Sequence, residues 1–368
     1  MLADVVYEGA RSVAGPYLGQ LGASAAVVGA VTGAGEAVAL VLRLVSGPLA
    51  DRTRRYWALA ITGYALTCLS VPALALVGSL AAVSALYLLE RLGKAVRSPA
   101  KDTLLSHAGT EVGQGRAFAV HEVLDQIGAF AGPLLVAAAI AVTGGYRLGF
   151  AVLALPGAVA LILLVRLARR VPDPAALATR PTLVGGSLPA AFWRYTGFAT
   201  LTMLGFATYG LIGFHLAERH LVAPALIPIV YAGAMATDAV AAVVTGRLYD
   251  RYGRRVLAVL PVLAALVPPL AFAGDAALAV GGALLWGAAL GVQESTLRAG
   301  VADLAPPERR ATAYGVFAAG YGLAWLVGGT LLGVLYGRSV TALVVVVVAL
   351  QIVALVFLSL TRRSRVTH

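Results

Sequence analysis

An all-α membrane protein that crosses the bilayer twelve times, as two six-helix halves, is the fold class this 368-residue sequence predicts. Three observations predict it: long apolar runs at regular intervals, basic residues gathered in alternate connections, and a loop sequence repeated at the same place in each half. The bulk composition agrees. Mean hydropathy is +0.87 and charged residues make up 12%, about half of the roughly 25% of a soluble domain, so too little polar surface exists to coat a globule in water.

The apolar runs come first. Segments 148–165 and 340–360 are each about the ~20 residues a helix needs to cross a bilayer. Turn signals divide the chain into spans at 1–19, 24–49, 56–77, 80–105, 117–141, 146–167, 195–216, 224–247, 256–273, 276–299, 312–335 and 339–360. The Pro- and Arg-rich segment 168–194 separates an N-terminal bundle, 1–167, from a C-terminal one, 195–368, and reads as a cytoplasmic linker with little fixed structure. Glycines spaced four apart, such as Gly29 and Gly33 or Gly128 and Gly132, suit close helix contacts. The first segment lacks a basic leader and a small-residue cleavage site, so no cleavable signal peptide is expected. With Met1 almost at the first span, a displaced or trimmed start is expected.

The charges come second. Connections on one side, with the linker and the C-terminus, hold nineteen basic residues, among them Arg52, Arg54, Arg55, Arg116, Arg169, Arg251 and Arg310. The opposite connections hold three, Arg147, Arg219 and Arg338. This asymmetry predicts both termini in the cytoplasm of a cell-membrane protein. The net charge of +11 therefore reports topology and contact with lipid head groups, with no nucleic-acid partner. Asn is absent and Arg far outnumbers Lys, a bias of GC-rich bacterial genomes.

The repeat comes third. The loops 47-GPLADRTRRY-56 and 246-GRLYDRYGRRVL-257 both read G-x-L-x-D-R before a cationic cluster. Their equal place in each half is the mark of an internal duplication, common in secondary transporters. Gly47 and Gly246 would let helix ends pack closely. Asp51 and Asp250 could accept bonds from the start of a neighbouring helix, and Arg55 and Arg254 would meet head groups, so these six residues are the expected gating positions.

The pair resembles the G-x-L-a-D-r-x-G-R-R loop of the major facilitator superfamily, and the 6+6 layout extends the resemblance over the whole chain. Arg54 stands where that loop has glycine, so residue type leaves a left-handed turn unsupported there. Arg91 stands where the fourth helix of the superfamily often carries a buried Arg, and 128-GAFAGP-133 is similar to an element of its proton-linked antiporters. Close packing around a proline is the other reading of that element. The segment 90-ERLGKAVRSPAKDTLLS-106 is also similar to one in some bacterial carriers of the superfamily. The resemblance implies an alternating-access carrier, working as a monomer, with two halves rocking around a central cavity.

Segment 90–102 carries Glu90, Arg91, Lys94, Arg97, Lys101 and Asp102 directly after an apolar run. On a helix Glu90, Lys94, Arg97 and Lys101 form one stripe. Asp4, Glu8 and Arg11 share a face of the first span, Glu36 and Arg43 of the second, and His121, Glu122 and Asp125 open the fifth. An ionised side chain facing lipid costs at least ~2.5–3.5 kcal/mol near the bilayer centre, so these groups are expected to face each other or water. The second half holds mainly Asp238, Glu294 and Arg298, with aromatics including Tyr209, Tyr231, Tyr321 and Trp325.

This division points to protons moving through the first half while solute binds between the halves. The proton-coupling candidates are Glu8, Glu36, Asp125 and His121, because burial disfavours a charged carboxylate and an approaching cation restores it, and histidine titrates near neutrality. The substrate-cavity candidates are Arg11, Arg43, Lys94, Arg97, Glu90, Tyr209, Tyr231, Tyr321 and Trp325. Structural ion pairs and cytoplasmic gates remain alternative roles for the charged ones. Glu36→Gln and Glu8→Gln are expected to abolish proton-linked flux with folding intact.

No H-E-x-x-H, G-x-S-x-G, P-loop or paired Cys/His set is present, which argues against an enzyme, ATP-driven transport, a metal or a cofactor. Proton-linked export of a small anionic, zwitterionic or amphipathic organic solute is the expectation. Proton-linked import, facilitated diffusion or a receptor role are the alternatives.

Overall fold

The computed structural model describes residues 1–171, 187–306 and 309–362. The first half contains α1 (Leu2–Arg11) and α2 (Ala14–Gln20) as its first crossing, and α3 (Ala25–Val41) and α4 (Arg43–Thr53) as its second. Then come α5 (Tyr56–Ala73), α6 (Leu80–Val112), α7 (Gln114–Thr143), and the pair α8 (Tyr146–Val152) and α9 (Ala154–Arg170). The second half repeats the plan with α10 (Ala190–Leu204) and α11 (Tyr209–Glu218), α12 (Leu226–Tyr252), a 3-10 turn at Gly253–Ala258 leading into α13 (Val259–Ala271), α14 (Ala276–Leu304), α15 (Arg310–Arg338) and α16 (Val340–Arg362). The ends of the expected 168–194 linker are helical as far as Arg170 and from Ala190, and 172–186 lies outside the described residues.

Nine segments among the described residues are long and apolar enough to cross a membrane. One of them, Leu226–Ala271, runs 46 residues through two crossings. The remaining two of the twelve crossings fall short because both carry too many charges, Asp4, Glu8 and Arg11 in the first and the Glu90–Arg97 stretch in α6.

Residue chemistry sets several helix starts. The hydroxyls of Ser24, Ser79 and Thr208 accept from the amides of Val27 (3.4 Å), Ala82 (3.3 Å) and Leu211 (3.3 Å), and the Asp275 carboxylate accepts from Leu278 (3.0 Å). Within the first half α1 packs on α7 and α5 on α6; within the second, α12 packs on α14 and α10 on α16.

The halves meet along three seams, α3 with α15, α2 with α11, and α7 with α12. Glycine makes the first as close as backbone allows. A Cβ on Gly29 would overlap the Gly329 carbonyl, and one on Gly33 the Trp325 carbonyl. The 128-GAFAGP-133 element has the same geometry inside the first half, with Gly128 against the Met1 carbonyl and Gly132 against that of Val5. It therefore packs α7 onto α1.

The repeated loops depart from expectation in two ways. Gly47 and Gly246 make no close approach, since a Cβ on either meets nothing within 4 Å. Asp51 and Asp250 are exposed and make no hydrogen bond or ion pair with the described residues. The tight packing and capping expected of these residues is therefore not formed among the described residues. The left-handed turn, by contrast, survives the missing glycine at Arg54 (φ 55°, ψ 18°), whereas Gly253 takes φ 60° with ψ −147°, a region open essentially to glycine alone. A non-glycine residue such as Arg54 pays roughly 1–2 kcal/mol for the left-handed conformation.

Candidate functional site: a charged cavity between the halves

A cavity of about 720 Å³ separates the halves at the end of the molecule bearing the repeated loops. Its first-half wall carries Arg11, Glu36, Arg43 and Lys94 and reaches Gly47, Pro48 and Asp51. Its second-half wall carries Gln293, Glu294 and Arg298 from α14, and Tyr314, Phe317, Tyr321 and Trp325 from α15. Behind it the chain is sealed by the glycine seam and by a bond across the halves, Thr32 Oγ1 to Thr208 Oγ1 at 2.9 Å.

The charges along the first half form a connected network. Arg11 reaches Glu36 at 3.0 Å and Glu8 at 3.7 Å, and Tyr231 of α12 donates its hydroxyl to Glu8. Arg91, fully buried, lies 3.6 Å from Glu36 and 3.0 Å from Glu90. Among the described residues Lys94 has no carboxylate partner; its ammonium sits 4.7 Å from the centre of the Tyr7 ring. Arg97 lies over the rings of Tyr7 (5.1 Å) and Tyr64 (4.9 Å) and donates to Thr67 Oγ1 at 2.6 Å. Cation–π contacts of this kind contribute up to about 2 kcal/mol when desolvated. Arg43 donates to Ser98 Oγ at 3.2 Å.

A second cluster lies apart from the cavity, where α1, α6 and α7 meet. Asp125 accepts from the Met1 ammonium at 3.3 Å and stands 3.1 Å from His121 and 3.9 Å from Lys101, and Lys101 and His121 are 2.6 Å apart. The Met1 ammonium also meets Asp4 at 2.5 Å.

Six of the cavity and coupling candidates line the cavity: Arg11, Glu36, Arg43, Lys94, Tyr321 and Trp325. Gly47 and Asp51 of the repeated loops line its mouth, while Arg55, Gly246, Asp250 and Arg254 stand off it. Glu8, Glu90, Arg97, Asp125, His121, Tyr209 and Tyr231 also lie off its wall. The α6 stripe divides because Arg97 turns toward α5 and Tyr64 while Lys94 faces the cavity. Tyr209 and Tyr231 pack beneath the floor, 4.5 Å apart between ring centres, with Tyr209 donating to the Ile227 carbonyl at 2.8 Å.

Sequence reasoning did not single out Tyr7, whose ring both Lys94 and Arg97 approach, or the Thr32–Thr208 contact. Tyr7 shares a face with Asp4 and Arg11, and an aromatic inside a charged stripe was the available signal. No sequence signal pairs Thr32 with Thr208.

The sequence profile of the Major Facilitator Superfamily matches residues 2–218 and again 195–368. This chain belongs to the Major Facilitator Superfamily. It is a multi-pass membrane transporter and not an enzyme.

The uncharacterized protein Rv2265 of Mycobacterium tuberculosis (strain ATCC 25618 / H37Rv) is 56% identical over 374 residues, covering 100% of this chain and 91% of the relative. The uncharacterized protein Mb2288 of Mycobacterium bovis has the same identity and coverage. Among solved structures, the nucleoside transporter NupG superposes with TM-score 0.73 at 15% identity, covering 100% of this chain and 97% of that one. A bacterial homologue of the human lysosomal transporter Spinster, inward-facing and unoccupied, gives 0.76 at 16% identity with coverage of 98% and 94%. A POT family transporter in complex with a thioalcohol-conjugated peptide gives 0.77 at 13%, with coverage of 98% and 93%. At these identities the likeness establishes the shared fold.

Proposed function

We propose that this transporter is a proton-linked exporter of a small organic solute, working by alternating access from a cytoplasm-facing cavity. The observation that carries the reading is the cavity of about 720 Å³, charged on one wall and aromatic on the other, closed behind by the glycine seam. Its mouth lies among the Arg-rich connections, which the positive-inside rule assigns to the cytoplasm. Lys94 and Arg43, which have no carboxylate partner among the described residues, offer cations to a solute's anionic group. Phe317, Tyr321 and Trp325 offer apolar faces to its body. Glu8 and Glu36 share Arg11, so a proton on either carboxyl would release that guanidinium toward the solute.

The test is flux in proteoliposomes, using metabolites and antibiotics first ranked by thermal shift. Solute movement should be driven by an imposed pH gradient, collapse with an uncoupler, and be lost in Glu8→Gln. Flux indifferent to the gradient would replace this reading with facilitated diffusion.

A further inference from the structure

Asp238 is a buried acid that the scheme above leaves without a task and, unlike Glu90 and Asp4, without an ion pair among the described residues. It sits midway along α12 with 3% of its surface exposed, and its Oδ1 has no hydrogen-bond partner. Tyr231, seven residues earlier and so on the same face of α12, is the residue that reaches across to Glu8. That face is the one α12 turns to the first half, where it packs on α7.

The strongest electrostatic influences on Asp238 come from Glu294 on α14 and from Glu8 and Arg11 on α1, with the neutral amide of Gln126 on α7. Two of the three charged ones are acids. The cation, Arg11, is already engaged by Glu36 at 3.0 Å and Glu8 at 3.7 Å. An ionised Asp238 would therefore be desolvated, beside like charges, with no cation of its own, an arrangement far costlier than a buried neutral acid.

We propose that Asp238 is a second-half proton site that governs docking of the two halves: with its proton, α12 rests on the first half as seen here, and loss of that proton to water weakens this arrangement. The released species is one proton and the residue becomes a carboxylate, which then needs water or Arg11. Coupling is on this view assigned to the junction between the halves and shared by the Tyr231–Glu8 contact, instead of being confined to the first half. The inference rests on the alternating-access reading, but its test needs no solute, so failure of the flux assay and failure here are separable.

The sign follows from linkage: the arrangement favoured by the protonated acid gains population as pH falls and loses it as pH rises, by at most about tenfold per pH unit for one proton. Spin labels at Leu49→Cys on α4 and Leu248→Cys on α12, both exposed, in a Cys68→Ser background, report the opening of the cavity mouth in nanodiscs. The parent should shift its distance distribution between about pH 5 and pH 9, while Asp238→Asn holds the low-pH distribution throughout. Asp238→Glu should titrate again with a displaced midpoint. A parent that does not respond to pH, or an Asn variant that titrates like it, overturns the proposal. If the Asn variant does not fold, an unchanged midpoint in the Glu variant does so.

Discussion

Tyr231 of the second half donates its hydroxyl to the carboxylate of Glu8 in the first, a buried hydrogen bond spanning 223 positions of sequence. It ties α12 to the charged network under the cavity. Tyr231→Phe leaves Glu8 with Arg11 at 3.7 Å as its remaining partner. The expected loss is about 1.5–3 kcal/mol, the range for bonds to charged groups, read as a fall in the thermal denaturation midpoint in detergent. Tyr314→Phe, whose exposed hydroxyl meets the Arg298 carbonyl at 3.2 Å, should leave the midpoint nearly unchanged.

Glu36 bridges two guanidiniums, Arg11 at 3.0 Å and Arg91 at 3.6 Å. The sequence alone led to the expectation that Glu36→Gln would leave folding intact. The geometry alters that expectation, because neutralising Glu36 takes the nearest carboxylate from Arg11, leaving Glu8 at 3.7 Å, and one of two from buried Arg91. Breaking a buried pair costs about 3–5 kcal/mol, so this variant should lose stability along with flux. Glu8→Gln, whose side chain can still bond Tyr231, should keep most of its stability. Paired thermal and flux measurements separate the two.

The glycine seam makes a steric prediction. Gly29→Ala drives a methyl into the Gly329 carbonyl, whereas Gly47→Ala fills open space. Overpacking of this kind costs about 1–3 kcal/mol. In the helical setting of Gly47, alanine should instead be neutral or stabilising by roughly 0.5–1 kcal/mol. Chemical denaturation or thermal melts of the two variants side by side will show opposite signs.

The cavity makes a recognition prediction. Lys94→Met keeps a stem over Tyr7 but removes the ammonium at 4.7 Å from its ring. Apparent affinity for an anionic solute should fall at least tenfold, while a neutral analogue of that solute loses little. Competition binding with the matched pair checks it.

Much of the fold was legible because hydropathy and charge act along the chain. Twelve apolar stretches, the Arg-rich side and the G-x-L-x-D-R repeat are all local patterns. The site was legible in part. Asp4, Glu8 and Arg11, or Glu36 and Arg43, declare a shared helix face through their spacing alone. What spacing cannot give is rotation of one helix against another. Lys94 and Arg97 are three residues apart, yet one meets the cavity and the other turns to Tyr64 and Thr67. The breaks at Ser12 and at 205–208 were also hidden, because the residues there are as apolar or small as those in an intact span. Gly47 and Gly246 illustrate the converse: a repeated motif marks a pair of loops without fixing whether their glycines meet a neighbour.

The central claim is that the halves must part along the seam behind the cavity for solute to leave. Thr32 and Thr208 face each other across that seam with their hydroxyls 2.9 Å apart. A Thr32→Cys, Thr208→Cys pair in a Cys68→Ser background should form a disulfide on oxidation. The cross-linked protein should bind solute from the cavity side but carry no flux, and reduction should restore it. Undiminished flux through fully cross-linked protein would contradict alternating access in this chain.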